Sequence, residues 1–188
     1  NVAVDLPIVG DTQAVLKALI KYFDEHNCTF DASQRKEWLD QIADWKEKVP
    51  LTYCQNGKVI KPQFVIETLY KLTKGDAIIT TEVGQHQMWT AQFFPFDKPN
   101  TLVSSGGLGT MGFGFPAAIG VKCAFPDKHV VDIAGDGSIQ MNIQELATAA
   151  QYNINVKIVL LNNGYLGMVR QWQELFYEKR YSFTDMTY

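Results

Sequence analysis

The sequence predicts an α/β fold, a doubly wound parallel sheet sandwiched by helices, and three observations carry that prediction. From about residue 50 onward, short strand-like runs alternate with segments of helical period. The two clearest runs, Val130–Ala134 and Val156–Leu161, show no apolar–polar alternation, the pattern of strands covered on both faces. Asp136 and Asn163, just past the ends of those runs, lie 27 positions apart, room for one helix and its turns as in a β-α-β crossover.

The elements follow in order. Val2–Val9 alternates and is expected to be a strand. Gly10-Asp11 makes a turn, and Asp11 caps a helix with Val15, Leu16, Leu19, Ile20 and Phe23 on its apolar face. Asp31-x-x-Gln34 forms a capping box for a second helix, with Trp38, Leu39, Ile42 and Trp45 on one face, ended by Pro50. A polar stretch at Gln55–Lys58 follows, which divides the chain into residues 1–49 and 50–188. Pro62 opens a helix through Leu72 that stops before Gly75. Ala77–Thr81 and Thr101–Ser104 are strands, Pro116–Ala124 is an Ala-rich helix, and Asn142–Tyr152 is the helix between the two apolar strands. Because the chain stops at Tyr188 without a closing helix or strand, it reads as an incomplete piece of a longer polypeptide.

Bulk composition narrows the function. With 188 residues, 46% of them apolar, one substantial core can be buried. A net charge of -3 gives no basic footprint, so a nucleic-acid partner is not expected. No apolar run approaches the ~20 residues that span a bilayer, so no membrane partner is expected either. Cys28, Cys54 and Cys123 are widely spaced and odd in number, which reads as reduced thiols inside a cell.

The chemistry concentrates in Gly135-Asp136-Gly137-Ser138 and Asn162-Asn163. If their strands are neighbours, Asp136 and Asn163 emerge at the same sheet edge, where open α/β sheets bind ligands. One carboxylate and one carboxamide oxygen suit magnesium, which completes its shell with phosphate oxygens and water. Gly135 and Gly137 allow a sharp turn close to an anion, and Ser138 adds a hydroxyl. A helix beginning near Met141 would point its amides at the same anion. A lone G-D-G-S is more often a plain turn, and the double Asn at crossover distance is what raises it above that. The chain has no G-x-x-x-x-G-K-[ST], so the phosphate site is not a P-loop.

Four segments in order resemble the acetolactate (acetohydroxyacid) synthase family of thiamine-diphosphate enzymes: Glu82–Trp89 (EVGQHQMW), Ser104–Gly112 (SSGGLGTMG), the G-D-G…N-N signature, and Gly167–Gln173 (GMVRQWQ). The resemblance implies the thiamine-diphosphate-binding fold. It implies that Asp136, Asn163 and the main chain at Tyr165 bind magnesium. It also implies that Gln85, His86, Ser138 and the amides around Gly135 and Gly137 hold the diphosphate. Gly109 and Met111 would meet the aminopyrimidine, and Met141 would support the bent cofactor. Met168 and Trp172 would line the substrate channel, although ordinary core packing is the plain alternative. Gly10 and Asp11 would touch FAD, a plain helix cap being the equal alternative. The chain departs from some family members in having Gly137 where alanine is frequent, and Gly164-Tyr165 where acidic residues can follow the double Asn.

The same resemblance implies decarboxylation of pyruvate and condensation of the hydroxyethyl unit with a second pyruvate or 2-ketobutyrate. In this family FAD is structural and the enzyme is a homodimer or tetramer, with the site at a subunit interface and a regulatory small subunit as a partner. The compartment implied is the cytoplasm in bacteria and an organelle matrix in eukaryotes. The activating glutamate comes from an N-terminal domain that nothing in this sequence resembles, so the chain alone is expected to be inactive. Two other readings compete: a pyruvate oxidase or glyoxylate carboligase, and a non-catalytic module that keeps the fold.

Overall fold

A computed structural model describes residues 3–29 and 31–187, grouped in two compact units, Asn1–Pro50 and Leu51–Tyr188. In the first unit, α1 (Thr12–Glu25) is capped by Asp11, whose carboxylate accepts from Ala14 N at 2.9 Å. Asp31 accepts from Ser33 N at 2.8 Å and opens a 3-10 turn, Ala32–Arg35, ahead of α2 (Lys36–Lys48). The expected capping box therefore starts a tighter turn, and α2 itself has no side-chain cap. Trp38 and Trp45, two turns apart on α2, meet edge to face at 5.6 Å between ring centres. The expected strand at Val2–Val9 is not formed over residues 3–9, and Val2 lies outside the described residues. Alternation alone cannot make a strand, because its main-chain groups need a partner and the run pairs with no described strand.

The second unit is built around a parallel four-stranded sheet. α3 (Pro62–Thr73) starts with Pro62 in its first turn and ends where Lys74 adopts the left-handed conformation. β1 (Ala77–Thr81) is buried throughout. α4 (Gln85–Phe93), β2 (Leu102–Ser104), α5 (Gly114–Ala124) and β3 (His129–Gly135) follow. α6 (Asp136–Ile139), α7 (Glu145–Gln151), β4 (Lys157–Leu161) and α8 (Gly167–Phe176) complete the unit. The strand order is β2-β1-β3-β4, every pair parallel. Side chains alternate across the sheet with period two. Ala77, Ile79, Val131 and Ile133 pack with Ile66 of α3 and Phe94 after α4, while α5 packs on β1 and β3 through buried residues such as Phe115 and Ala118. Helices thus cover both faces, as expected for a doubly wound sheet.

Two expectations need correction. The helix expected at Asn142–Tyr152 begins later, as α7 at Glu145, and a separate short α6 and a 3-10 turn at Gln140–Asn142 precede it. Strand β3 passes directly into α6 at Asp136, so helix starts at the sheet edge rather than near Met141. β4 is not covered on both faces either. It is an edge strand, Leu160 is 47% exposed, and an open groove lined by Ile60, Pro62, Val65 and Trp89 runs beside it. No helix among the described residues is long and apolar enough to cross a membrane.

The topology fixes where a ligand can sit. The chain leaves β1 toward β2 on one side and leaves β3 toward β4 on the other. β1 and β3 are neighbours, so the connections diverge between their carboxyl ends and open a crevice there.

Candidate functional site

A cleft enclosing about 440 Å³, its open mouth included, lies at this divergence. Its walls come from three strand ends: Val83–His86 after β1, Gly135–Ser138 at the end of β3, and Leu161, Asn163 and Tyr165–Val169 at the end of β4, with Trp89 and Met111 completing it. The sequence spacing of Asp136 and Asn163 does place both at one edge, because β3 and β4 pair with Gly135 opposite Leu161. Gly164 N donates to Asp136 Oδ2 at 3.0 Å, which ties the two loops together. Asn163 Oδ1 accepts from Tyr165 N at 2.9 Å, a local turn that fixes the carboxamide.

Three helices begin at the cleft without a side-chain cap: α4 at Gln85, α6 at Asp136 and α8 at Gly167. Each leaves first-turn amides without an intrahelical partner, which favours a negatively charged ligand. Among the described residues no lysine or arginine lines the cleft, and Asp136 is the one carboxylate that does. A dianion there would have to be met by amides and by a bound cation. No group of three or more His, Cys, Asp or Glu among the described residues could cage a metal alone. That donor set fits magnesium, which takes few protein ligands and shares phosphate oxygens.

His86 is buried, and its Nε2 has no hydrogen-bond partner among the described residues. Burial pushes the imidazole down from 6.5 to about 4, against a hydrogen bond to the Glu82 main chain and the charge of Asp136, which both raise it. A buried nitrogen on the cleft wall with no protein partner is free to bond a molecule entering the cleft. His86 also explains Gly135: a Cβ there would fall 2.7 Å from His86 Nδ1. Neither Gly135 nor Gly137 has a positive φ, so the turn itself does not require them, and it is Gly135, against the His86 ring, that is needed for space. A Cβ at Gly137 would meet Leu166 Cδ2 at 2.5 Å and Met186 Sδ at 2.8 Å.

Other sequence-predicted residues divide. Gln85, Met111, Tyr165 and Met168 line the cleft. Gln85 Nε2 also donates to Gln171 Oε1 at 2.8 Å, joining the first loop to α8. Ser138 lines the cleft, but its hydroxyl donates to Glu82 Oε2 at 2.9 Å and accepts from Val83 N at 3.2 Å, so its proton is not offered to an anion. Gly109, at φ +65°, lines the adjoining groove with Gln87 and Ser104. Met141 is half-exposed outside the cleft, its Cβ beside Gly112, and therefore does not start the anion-facing helix. Trp172 is also outside, 56% exposed and tilted against Phe176. In the first unit, Asp11 spends a carboxylate oxygen on capping α1, which is the plain-cap reading.

Glu82 escapes sequence reasoning. It is fully buried and accepts from Gly112 N, Phe115 N and Ser138 Oγ. The available signal was an acid placed directly after a buried β-branched strand, at the sheet's ligand edge.

The profile of the thiamine pyrophosphate enzyme C-terminal TPP binding domain matches residues 82–187, from the first cleft loop to the last. The chain belongs to this thiamine pyrophosphate enzyme family. It is similar to the acetolactate synthase isozyme 3 large subunit of Escherichia coli, 52% identical over 182 residues, covering 97% of this chain and 32% of that protein. The acetolactate synthase large subunit of Corynebacterium glutamicum is 51% identical over 97% of this chain and 29% of its own length. The mitochondrial acetolactate synthase catalytic subunit of Aspergillus candidus is 51% identical over 94% of this chain and 26% of its length. This thiamine pyrophosphate enzyme chain thus spans about a third of the length of the curated relatives it matches.

Proposed function

We propose that this chain is the thiamine-diphosphate-binding part of an acetolactate synthase catalytic subunit. The observation that carries the reading is the make-up of the cleft: three uncapped helix starts, one carboxylate, one carboxamide, an orphaned imidazole nitrogen and no basic side chain. Such a cleft takes a diphosphate only together with a cation. Asp136 and Asn163 hold magnesium, with the Tyr165 main-chain oxygen as third protein ligand. Gln85, His86 and the amides of Gly137 and Ser138 hold the diphosphate. Met111 and Gly109 take the aminopyrimidine side, Met141 supports the bent cofactor, and Met168 and Trp172 border the substrate path.

Bound, thiamine diphosphate supplies the electron sink that lets a 2-ketoacid lose carbon dioxide. The residues of this chain bind it, orient it and screen it from water. The whole protein joins the two-carbon unit of pyruvate to a second pyruvate or to 2-ketobutyrate. It works as a dimer or tetramer with its site at a subunit interface, with FAD held mainly by a middle domain to whose end residues 1–49 belong, and with a regulatory small subunit. The compartment is cytoplasmic in a bacterium or an organelle matrix in a eukaryote.

The test is a titration with thiamine diphosphate, with and without magnesium, followed by tryptophan fluorescence, since Trp89 lines the cleft. Binding should require magnesium, and Asp136→Asn should weaken it by at least ~100-fold, more than is lost on removing an outer-shell partner. Magnesium-independent binding, or an unaffected variant, would overturn the metal assignment.

A further inference from the structure

Glu82 stands at the end of β1 with no solvent exposure. Its Oε2 accepts from Gly112 N at 2.7 Å and from Ser138 Oγ at 2.9 Å, and its Oε1 accepts from Phe115 N at 2.9 Å. Burying a carboxylate is costly unless donors surround it, and here they come from two segments that the sheet does not join. One is the turn between β2 and α5; the other is the turn at the start of α6. Phe115 N lies in the first turn of α5, which has no cap of its own, so Glu82 also supplies that helix with its anion.

Both segments are then fixed from their far sides. The Gly112 carbonyl accepts from Asn142 Nδ2 at 2.7 Å, so that residue is held at its nitrogen and at its oxygen. Ser138 Oγ accepts from Val83 N, which returns the network to the residue after Glu82. Gly112 directly follows Met111 on the cleft wall, and Ser138 closes the Asp136–Ser138 turn on the facing wall. One carboxylate therefore sets the spacing between the two walls.

We propose that Glu82 is a positioning residue for thiamine diphosphate, holding the Gly109–Met111 ring contacts at a fixed distance from the Asp136–Ser138 diphosphate contacts. The proposal rests on the reading of the cleft given above. Glu82 faces main-chain amides and a serine hydroxyl, so it acts through the two turns rather than on the cofactor. A glutamine here keeps one acceptor oxygen of two, so an NH2 group faces either Phe115 N or the Gly112 N and Ser138 Oγ donors, and in both cases the segment from Gly112 to Phe115 loses an anchor without a change in side-chain size.

The experiment compares two probes on the full-length protein by calorimetry with magnesium: thiamine diphosphate, which uses both walls, and inorganic diphosphate, which uses one. Glu82→Gln should weaken thiamine diphosphate about tenfold or more, while inorganic diphosphate changes by less than about threefold. Ile66→Ala, in the core away from the cleft, is the control for general destabilisation and should leave the ratio of the two affinities unchanged. Parallel weakening of both probes, or of neither, overturns the proposal. If Glu82→Gln does not fold, Ser138→Ala cuts one arm of the clamp and should show the same selective loss; a Ser138→Ala protein with an unchanged ratio also overturns it. Failure of the unmodified protein to bind either probe would sink the reading of the cleft itself, and would be seen before any variant is compared.

Discussion

Thr80 and Asp132 face each other across the two central strands, and the Thr80 hydroxyl donates to Asp132 Oδ1 at 2.9 Å with both side chains fully buried. Asp132 Oδ2 has no hydrogen-bond partner among the described residues. Burial, reinforced by the nearby Glu82 charge, pushes the Asp132 carboxyl up from 3.8 to about 7, and the Thr80 bond recovers only part of that. The folded state therefore holds a proton that the unfolded chain has already released. Stability from this group is complete below about 3.8 and is lost as pH rises through about 7. Asp132→Asn keeps an acceptor for Thr80 and should remove that loss, raising stability at pH 8 by on the order of a few kcal/mol. Urea unfolding of both proteins across the pH range measures it; equal slopes would refute the buried protonated acid.

His86 pulls the other way. Its folded value is lowered to about 4 from 6.5, so between those values the unfolded chain binds the extra proton. Stability from this group is present above 6.5 and is lost as pH falls through about 4. In that window the contributions of His86 and Asp132 oppose each other. In the cofactor-free protein, Asp132→Asn should thus expose an acid sensitivity that the parent lacks. The His86 ring resonances, followed by NMR, should stay in their neutral positions down to about pH 5. A midpoint near 6.5 would contradict the buried imidazole.

Arg170 links the last cleft loop to the C-terminal segment. Its guanidinium lies 4.0 Å from the Tyr165 ring centre and 4.5 Å from that of Tyr181. Beside it, Leu166 N donates to Thr184 O and Met186 N to Gly164 O. Stacking on two rings contributes roughly 1–2 kcal/mol, so Arg170→Ala should speed hydrogen exchange at the Leu166 and Met186 amides about tenfold. Arg170→Lys should not restore protection, because an ammonium has no plane to stack. Unchanged exchange in the alanine variant would mean that the main-chain bonds suffice.

What the sequence reveals is what local pattern can encode. Asp136 and Asn163 are legible because each closes one of two adjacent parallel strands, and a single crossover fixes their separation. Glu82 is not, since its three donors lie 30, 33 and 56 positions away. Asp132 hides as one acid inside a run whose neighbours are all apolar. The break between α6 and α7 is tertiary too: the 3-10 turn at Gln140–Asn142 ends where the Asn142 side chain binds the Gly112 carbonyl, at the position where periodicity predicts the start of a helix. The exposed edge of β4 and the unpaired run at residues 3–9 share one cause. Apolar pattern reports what could be buried, and the partner decides whether it is.

Two glycines separate shape from signature. Gly137 sits inside the Gly135–Ser138 motif; Gly114 belongs to no motif. At Gly137 a methyl group would press only on Leu166 Cδ2 and Met186 Sδ, the ends of flexible side chains that can rotate away. At Gly114 it would stand 2.4 Å from Glu82 N, 2.5 Å from Asp132 Oδ1 and 2.5 Å from the Thr81 carbonyl carbon, two of them main-chain atoms of the central sheet edge. Those cannot move without opening the β1–β3 pairing, where Glu82 N donates to Ile133 O at 3.0 Å. Gly137→Ala should cost less than about 1 kcal/mol, and Gly114→Ala roughly 3 kcal/mol. Thermal unfolding of the pair decides it. An inverted order would mean that the motif glycine is needed for the folded turn and that α5 can slide away from the sheet.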